Sequence, residues 1–175
     1  AVARAPGIEP RQKFDRMVEI YTNQPTLSAR TSTSIEDQAY STPIPMSYAM
    51  LHAIDVTPQT GSYDSTAGNG ALMIGGDFAN SQANEINPDR AKALRDLGIH
   101  VVTENDATQY APTGKFPRVR VNPPFGSIDT VVYAGYGIKK LEHIISIKAL
   151  EALADDGAGI MILGAKREEG EGGHG

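Results

Sequence analysis

The chain has 175 residues, of which 40% are hydrophobic and 21% are charged, and its formal net charge at pH 7 is −5. That length is sufficient for one α/β domain with a buried core. No apolar run approaches the roughly 18 residues of a membrane span, and no secretory signal is visible. Without cysteine and with only four scattered histidines, the sequence shows no spacing of metal ligands. We therefore expect a cytoplasmic protein that binds no metal.

The N-terminal part, residues 1–34, predicts a helix followed by a linker. From Pro10 to about Tyr21, apolar residues recur at helical spacing with charged residues between them. A loop rich in serine and threonine follows, and Ser34 is a suitable N-cap for what comes next. We expect residues 35–164 to form the principal domain and the glycine-rich residues 165–175 to form a flexible tail.

The principal domain opens with a Thr-Pro segment and a helix. The apolar density of Met46 to Ile54 suits a buried helix. Thr42-Pro43 precedes it, and a proline in the first turn of a helix is common. From these residues alone, the segment indicates only a loop and the start of a helix.

A strand, a glycine-containing turn and a helix start follow between residues 62 and 74. The short strand ends at Asp64, and Ala67, Gly68 and Gly70 are small enough for the backbone to approach a ligand closely. A Gly-x-Gly pair also occurs in ordinary tight turns. The pattern therefore favours a nucleotide-binding loop only in combination with other signals.

Two more predicted strands end in acidic side chains. Glu85 ends the second strand, where an acid can accept both ribose hydroxyls of an adenosine-containing cofactor. The simpler interpretation is a surface glutamate near a helix N-terminus, where a carboxylate is favourable anyway. Pro88 to Leu97 predicts that helix, and Asp106 follows the third strand, His100 to Thr103. A single loop aspartate such as Asp106 carries no functional meaning alone.

The fourth strand ends at Asn122-Pro123-Pro124-Phe125. The two prolines fix φ, lack backbone donors and hold Asn122 extended, so the strand stops in a rigid turn. The Asn122 side-chain oxygen and the Pro123 carbonyl are two acceptors for the hydrogens of an exocyclic amine, and Phe125 offers a face for stacking. Accepting both hydrogens localises the nitrogen lone pair. The alternative is a loop without chemistry.

The remainder of the chain predicts a lip, a helix and a final strand. Residues 126–137 lack clear periodicity and suit a mobile lip over the site, whose tyrosines would stack on a target base or simply pack. Leu141 to Leu153 has helical spacing, Asp155-Asp156-Gly157 predicts its stop, and Gly159 to Gly164 predicts a buried strand. Alternating strands and helices predict a parallel sheet with helices on both faces.

The proline turn resembles the Asn/Asp-Pro-Pro-Tyr/Phe motif of amino-methyltransferases, which use S-adenosylmethionine to methylate adenine N6, cytosine N4 or a glutamine amide. Thr42 and Pro43 resemble the core of the Phe-x-x-Pro type motif of DNA adenine methyltransferases, with Tyr40 at its aromatic position. Residues 64–70 resemble the Glu-Pro-Ser-Ala-Gly-x-Gly cofactor loop, with serine in place of its proline. The resemblance covers residues 40–163, and its motifs occur in the order that the family requires.

This resemblance implies a Rossmann-like methyltransferase fold, a mainly parallel twisted sheet with helices on both faces. It also implies S-adenosylmethionine as the cofactor. The family's sheet has seven strands and this sequence predicts five, so the last two are expected to be missing. The implied catalytic residues are Asn122, Pro123, Pro124 and Phe125. The implied cofactor-binding residues are Tyr40, Thr42, Pro43, Asp64, Ala67, Gly68, Gly70, Glu85, Asp106 and Asn122.

Within that set, the resemblance gives individual roles to the acids and to the Thr-Pro segment. Thr42-Pro43 would line the methionine side of the cofactor, and Asp64 would pair with its amino group. Glu85 would bind the ribose, and Asp106 would meet the adenine amino group. The preferred target is adenine N6 in DNA.

The negative net charge is unfavourable for binding DNA, because phosphate contacts require Lys and Arg. We therefore expect other domains or subunits to supply most of the DNA affinity. Two alternatives stay open. The nearest is methylation of a glutamine amide in a protein, and the other is a non-catalytic scaffold domain in a larger phage or mobile-element polypeptide.

Overall fold

Helices and strands alternate along the part of the chain that the computed structural model describes, residues 6–23 and 41–164. Tyr40, Ser34 and the predicted tail lie outside these ranges, and the predicted division into segments stays a prediction. Two short 3₁₀ turns, Ala71–Met73 and Phe78–Asn80, separate the first two strands. The elements are α1 (Pro10–Thr22), α2 (Ile44–Ala53), β1 (Ser62–Asp64), β2 (Gln82–Asn84), α3 (Pro88–Asp96), β3 (Val101–Thr103), β4 (Phe116–Val121), β5 (Ser127–Tyr133), β6 (Tyr136–Lys140), α4 (Leu141–Leu150) and β7 (Leu153–Met161).

The principal sheet has five parallel strands in the order β3-β2-β1-β4-β7. From β1 the chain runs outward through β2 to β3 and then returns to the other side of β1 with β4. That reversal places a crevice at the carboxyl ends of β1 and β4, where open α/β sheets bind ligands. The predicted α/β fold with a mainly parallel sheet is confirmed.

Helices cover both faces of the sheet, because side chains alternate along each strand. On one face, Val119 and Val121 of β4 pack against Ile144 and Ile145 of α4. On the other face, Met17 of α1 and several residues of α2 pack together with apolar side chains of β7. α3 covers the β2 end of that second face through a cluster that contains Ala83 and Leu94.

α3 begins where its sequence provides a cap. The Asn87 side-chain oxygen accepts hydrogen bonds from the backbone N–H groups of Asp89 and Arg90 at 3.1 and 3.2 Å. Pro88 stands in the first turn, where a missing N–H costs nothing. Gly98, with φ of 89°, terminates the helix in the left-handed region. The cap fixes the helix directly after the strand end that carries Glu85.

Residues 127–140 form an antiparallel β-hairpin, so the predicted mobile lip is wrong. Tyr133 pairs with Tyr136, and the two turn residues between them, Ala134 and Gly135, have φ of 49° and 85°. Positive φ at both central positions defines a type I′ turn, which matches the twist of the paired strands.

The hairpin lies along α4 and points away from the proline turn at Asn122 to Phe125. Its base adjoins Leu141, the first residue of α4. Near its tip, the hydroxyl of Tyr133 donates a hydrogen bond of 3.1 Å to Oε1 of Glu151, which follows the last residue of α4. Lys148 Nζ lies 5.6 Å from the centroid of the Tyr133 ring. The tip, with Tyr136, therefore sits one helix length from the site and cannot stack on a target there.

The helix after the hairpin also differs from its prediction. α4 ends at Leu150, and Leu153 already belongs to β7, where it pairs with Phe116. The next paired residues are Arg118 and Ala158, so the register shifts and Asp155-Asp156-Gly157 bulges out. The sequence that predicted a stop is thus an irregularity inside a strand.

Candidate functional site

A cavity of about 360 Å³ opens at the carboxyl ends of the central strands. Its volume falls in the range of small-molecule sites, roughly 300–1,000 Å³. Its lining includes Gly68, Glu85, Asp106 and the turn from Asn122 to Phe125. The structure therefore brings together residues that the sequence places on four separate strand ends.

A smaller hollow of about 30 Å³ adjoins the cavity and shares Gly68 and Asn122 with it. Its other predicted residues are Thr42, Asp64 and Ala67. Pro43 serves instead as the N-cap of α2. Of the predicted site residues, Tyr40 alone lies outside the described part of the chain.

The glycine loop between β1 and the first 3₁₀ turn is tight for two different reasons. Gly68 has φ of 54°, and a Cβ placed on it would meet nothing within 4 Å, so the loop leaves open space on the cavity side. Gly70 has φ of 75°, and a Cβ there would lie 3.0 Å from Leu94 Cδ2. Gly70 thus allows close approach of the loop to α3, whereas Gly68 leaves room for a ligand.

Asp64 is a buried carboxyl group at the floor of the smaller hollow. Its Oδ1 accepts a hydrogen bond from the Thr66 N–H at 3.0 Å. Burial raises the pKa of Asp64 to about 7, and the negative charge of Glu85 adds to that rise. The Thr66 N–H and the positive charge of Arg120 act in the opposite direction. A cationic group that entered the hollow would stabilise the ionised form.

Arg120 is a fully buried cation on the strand next to Asp64. It lies on the face that α1 and α2 cover, where it donates to the Ile74 carbonyl at 3.0 Å and to Ser62 Oγ at 3.1 Å. Burial lowers the pKa of Arg120 to about 10, and the charge of Asp64 opposes that change. Arg120 stays protonated at neutral pH and supplies the nearest positive charge to the Asp64 carboxylate. The sequence analysis did not identify this residue.

Glu85 is buried and holds the glycine loop against the start of α3. Its Oε2 accepts from the Gly68 N–H at 2.8 Å, and its Oε1 accepts from the Asn87 N–H at 2.9 Å and from Arg90 at 2.8 Å. A carboxylate has about four lone-pair positions. Three of these positions are used, so about one remains for a further donor, such as a ribose hydroxyl.

Asn84, which sequence reasoning missed, links three strand ends. Its Nδ2 donates to the carbonyls of Ser65 at 3.1 Å and Asn105 at 2.8 Å. Its Oδ1 accepts from Thr103 Oγ1 at 2.8 Å and from the Asn105 N–H at 3.0 Å. All four hydrogen-bonding positions of this buried amide are used. Asn84 thereby sets the spacing between the glycine loop and the loop that carries Asp106.

Asp106 closes its own loop and faces the cavity. Its Oδ1 accepts from the N–H and the hydroxyl of Thr108 at 2.9 and 2.8 Å, and its Oδ2 accepts from Gln109 at 3.3 Å. These contacts form an Asx turn of the ordinary kind. They hold the carboxylate in place among the residues that line the cavity.

The turn at the end of β4 lines the cavity and carries two hydrogen-bond acceptors. Asn122 Nδ2 donates to Thr42 Oγ1 at 2.9 Å. Within residues 6–23 and 41–164, no group donates to Asn122 Oδ1 or to the Pro123 carbonyl. The exit of the turn is fixed as well, because Glu142 Oε2 accepts from the Gly126 N–H at 3.1 Å. The predicted pair of free oxygens is thus present in a rigid setting.

Two more polar groups along the cavity have no partner among the described residues. Ser65 Oγ and Thr66 Oγ1 are buried hydroxyls that form no hydrogen bond with residues 6–23 or 41–164. Since an unpaired buried hydroxyl costs free energy, these two groups indicate contacts that a ligand would complete. Ser65 stands where the resembling motif has proline, so its hydroxyl is a feature of this chain.

No protein-family model and no curated protein sequence matches the chain. Several solved structures are similar to the chain. A proposed RNA methyltransferase of Pyrococcus horikoshii is similar with a TM-score of 0.56 and 17% identity, over 81% of this chain and 70% of that one. A SAM-dependent O-methyltransferase of Thermotoga maritima gives 0.52 and 15%, over 83% and 59%.

A third similar structure is the methyltransferase subunit of a type I restriction-modification system from Streptococcus thermophilus. It gives a TM-score of 0.52 and 16% identity, and the match covers 70% of this chain but only 34% of that subunit. At these identities the similarity establishes the fold alone. The chain has the Rossmann-like methyltransferase fold.

No helix in residues 6–23 or 41–164 is long and apolar enough to cross a membrane. Among the same residues, no three His, Asp or Glu side chains are grouped closely enough to hold a metal ion.

Proposed function

We propose that this chain transfers a methyl group from S-adenosylmethionine to an exocyclic amino group, with adenine N6 in DNA as the preferred target. The observation that carries the proposal is the position of Asn122. It lines the same cavity as Glu85 and Asp106, and the described residues donate nothing to its Oδ1. An ordinary structural turn has no need for an amide held in that way.

The hydrogen-bonding groups that line the cavity and the smaller hollow fit the cofactor. Asp64 is a buried carboxyl group that would pair with the ammonium of the methionine part, and Gly68 leaves the open space beside it. Glu85 would accept the ribose hydroxyls, and Asp106 would accept from the adenine amino group. When bound, the cofactor supplies an electrophilic methyl group on a positively charged sulfur.

The residues of the turn prepare the target nitrogen. Asn122 Oδ1 and the Pro123 carbonyl accept its two hydrogens, which draws the nitrogen toward a tetrahedral form and frees its lone pair for the new C–N bond. Phe125 stacks on the ring. The proton leaves to solvent after transfer, so no general base is required. A base in duplex DNA must first leave the stack to reach this position.

Two observations favour DNA over a protein target. The Thr42-Pro43 segment resembles a motif of DNA adenine methyltransferases, and it contacts the catalytic amide directly. One structure of the same fold is a restriction-modification methyltransferase subunit. Because this chain matches only 34% of that subunit and has a net charge of −5, we propose that other domains or subunits bind the DNA backbone.

Radiolabel transfer tests the proposal. The protein is incubated with S-adenosylmethionine labelled in the methyl group and with unmethylated DNA, and the DNA is digested to nucleosides for mass spectrometry. We expect label in N6-methyladenine. In parallel, Asn122→Ala should keep its affinity for the cofactor and lose about 100- to 1,000-fold in turnover, since a preorganised group that stabilises developing charge is removed.

Controls separate the alternatives. Asn80→Ala, at an exposed asparagine that bonds only Asp77 among the described residues, should behave as the unmodified protein. Label in a glutamine-containing peptide and none in DNA would assign the protein alternative. Cofactor binding without any transfer would assign the scaffold alternative. Full turnover in Asn122→Ala would contradict the proposed mechanism.

A further inference from the structure

We propose that Thr42 is the positioning residue that orients the catalytic amide of Asn122, an inference that rests on the proposed function. The contact joins residues that are 80 positions apart in the chain. Thr42 lies outside the sheet, in the segment before α2, whereas Asn122 ends β4. The segment before α2, which contains Thr42, would therefore contribute to the transfer step itself.

Orientation matters because the two ends of an amide are chemically opposite. The oxygen accepts hydrogen bonds and the NH₂ group donates them. A rotation of 180° about the last side-chain bond of Asn122 would present NH₂ to an amine that is itself a donor, and the lone pair would not be freed. Thr42 Oγ1 accepts from Nδ2 at 2.9 Å, and this arrangement leaves Oδ1 without a donor among the described residues. The hydroxyl keeps the accepting role when its own hydrogen is donated to another group, such as a ligand in the smaller hollow.

Thr42 is anchored firmly enough to perform this role. The following Pro43 restricts Thr42 to an extended backbone. The Pro43 carbonyl accepts hydrogen bonds from the N–H and the hydroxyl of Ser47 at 3.0 and 3.3 Å. These bonds fix the segment to the first turn of α2. α2 in turn buries Tyr48 and Leu51 against α1 and the sheet. Pro123 restricts Asn122 in the same way, so both partners of the bond are held by a proline that follows.

The neighbouring residue extends the same contact to the cofactor loop. Ser41 Oγ accepts from Asn69 Nδ2 at 3.2 Å, across 28 positions of sequence. Ser41 and Thr42 thus form one wall of the smaller hollow, between the glycine loop and the catalytic turn. The Thr42 hydroxyl hydrogen has no acceptor among residues 6–23 and 41–164 and stays available to a ligand in that hollow.

Thr42→Val and Thr42→Ser form the matched test. Valine has nearly the shape of threonine but accepts no hydrogen bond, whereas serine keeps the hydroxyl. With labelled S-adenosylmethionine and unmethylated DNA, we expect Thr42→Val to lower kcat by about 10- to 100-fold through a misplaced reacting group. Its Kd for the cofactor should change much less, and Thr42→Ser should restore most of kcat.

A second readout does not depend on activity. In ¹⁵N-labelled protein without ligand, the side-chain NH₂ signals of Asn122 are identified by their loss in Asn122→Ala. We expect one of these two proton signals to shift upfield in Thr42→Val and to return in Thr42→Ser. Unchanged signals and unchanged kcat in Thr42→Val would overturn the inference.

The outcomes also separate this inference from the proposed function. If the unmodified protein transfers label and Asn122→Ala does not, the proposed function stands. Equal kcat in Thr42→Val then removes only the role of Thr42. A fall in activity that higher cofactor concentration restores would make Thr42 a cofactor ligand alone and would equally contradict the positioning role. Absence of transfer by the unmodified protein would instead remove the proposed function, and the NMR comparison would still decide the contact.

Discussion

The two halves of the site are held in different ways. The half that we propose binds the cofactor, at the ends of β1 to β3, is tied together by several hydrogen bonds that Asn84 donates and that Glu85 and Asp106 accept. The half that we propose to be catalytic, at the end of β4, has two prolines and a Glu142 contact that hold its backbone, but only one contact, to Thr42, that holds the Asn122 side chain. A redundant network tolerates the loss of one bond, whereas a single orienting contact does not.

This difference predicts how each half responds to mutation. Changes in the cofactor half should appear mainly as altered cofactor affinity, because in the proposed function its acids contact the ligand in the ground state. Changes in the catalytic half should appear mainly as altered kcat, because its oxygens act on charge that develops during transfer. Five further predictions test this difference.

The largest effect on affinity is expected at Asp64. Asp64→Asn keeps an oxygen for the Thr66 N–H but removes the charge that would pair with the cofactor ammonium. We expect the Kd for S-adenosylmethionine to rise on the order of 100-fold, in line with 2–5 kcal/mol for loss of a buried charge partner. Isothermal titration calorimetry measures it, with the exposed Asp55→Asn as the matched control.

The same pair of proteins gives a pH test. The pKa of Asp64 is raised to about 7, mainly by burial, so the unliganded carboxyl group is protonated below that pH. Arg120 opposes this rise and Glu85 adds to it. Cofactor affinity should therefore increase as the pH rises through about 7 and decline above roughly 8, where the cofactor ammonium deprotonates. An equally steep rise in Asp64→Asn would show that another group is responsible.

A smaller effect is expected at Asn84. Asn84→Ala removes four hydrogen bonds and leaves backbone groups of Ser65 and Asn105 unpaired. We expect a loss of about 2–4 kcal/mol in the free energy of unfolding and roughly tenfold weaker cofactor binding. At saturating cofactor, kcat should stay close to that of the unmodified protein. Denaturant titration and calorimetry measure the first two quantities.

A double-mutant cycle separates positioning from general destabilisation. If Asn84 acts through the loop of Asp106, the effects of Asn84→Ala and Asp106→Ala on Kd should be non-additive. The effects of Asn84→Ala and Asp64→Asn should add more nearly, because no hydrogen bond joins those two side chains in the described ranges. Additivity in both cycles would contradict the role given to Asn84.

The smallest effect is expected at the hairpin. Tyr136 is 75% exposed and lies at the far end of α4 from the cavity, so Tyr136→Ala should change KM for DNA less than about twofold. Phe125→Ala should raise that KM by about three- to tenfold, because loss of a stacking face costs roughly 1 kcal/mol or more. Steady-state kinetics measures both KM values. Equal changes in KM for Tyr136→Ala and Phe125→Ala would place the hairpin at the site.

Much of the site was predictable because parallel strands end at one edge of a sheet. Once β1, β2, β3 and β4 are read as successive strands, Asp64, Glu85, Asp106 and Asn122 must converge. What the sequence could not provide is the set of contacts between distant residues. Neither the Thr42–Asn122 bond nor the buried position of Arg120 leaves a local pattern, because both depend on which strands become neighbours.

The hairpin was missed for a conformational reason. Type I′ turns favour Asn-Gly or Asp-Gly, and here Ala134 occupies the first left-handed position with φ of 49°. Alanine carries no turn signal, so the sequence predicts an irregular lip where the structure has two paired strands. The segment Asp155-Asp156-Gly157 gives the opposite error, because its sequence predicts the end of an element inside a strand that continues. It has the composition of a stop but bulges out of β7, whose pairing resumes at Ala158.

The most direct test of the central claim is a crystal structure of this chain with S-adenosylhomocysteine. We predict that the ligand amino group contacts Asp64, that the ribose hydroxyls contact Glu85, and that the sulfur lies beside Asn122, whose Nδ2 still donates to Thr42. Ligand bound elsewhere, or an Asn122 oxygen turned away from the sulfur, would contradict it.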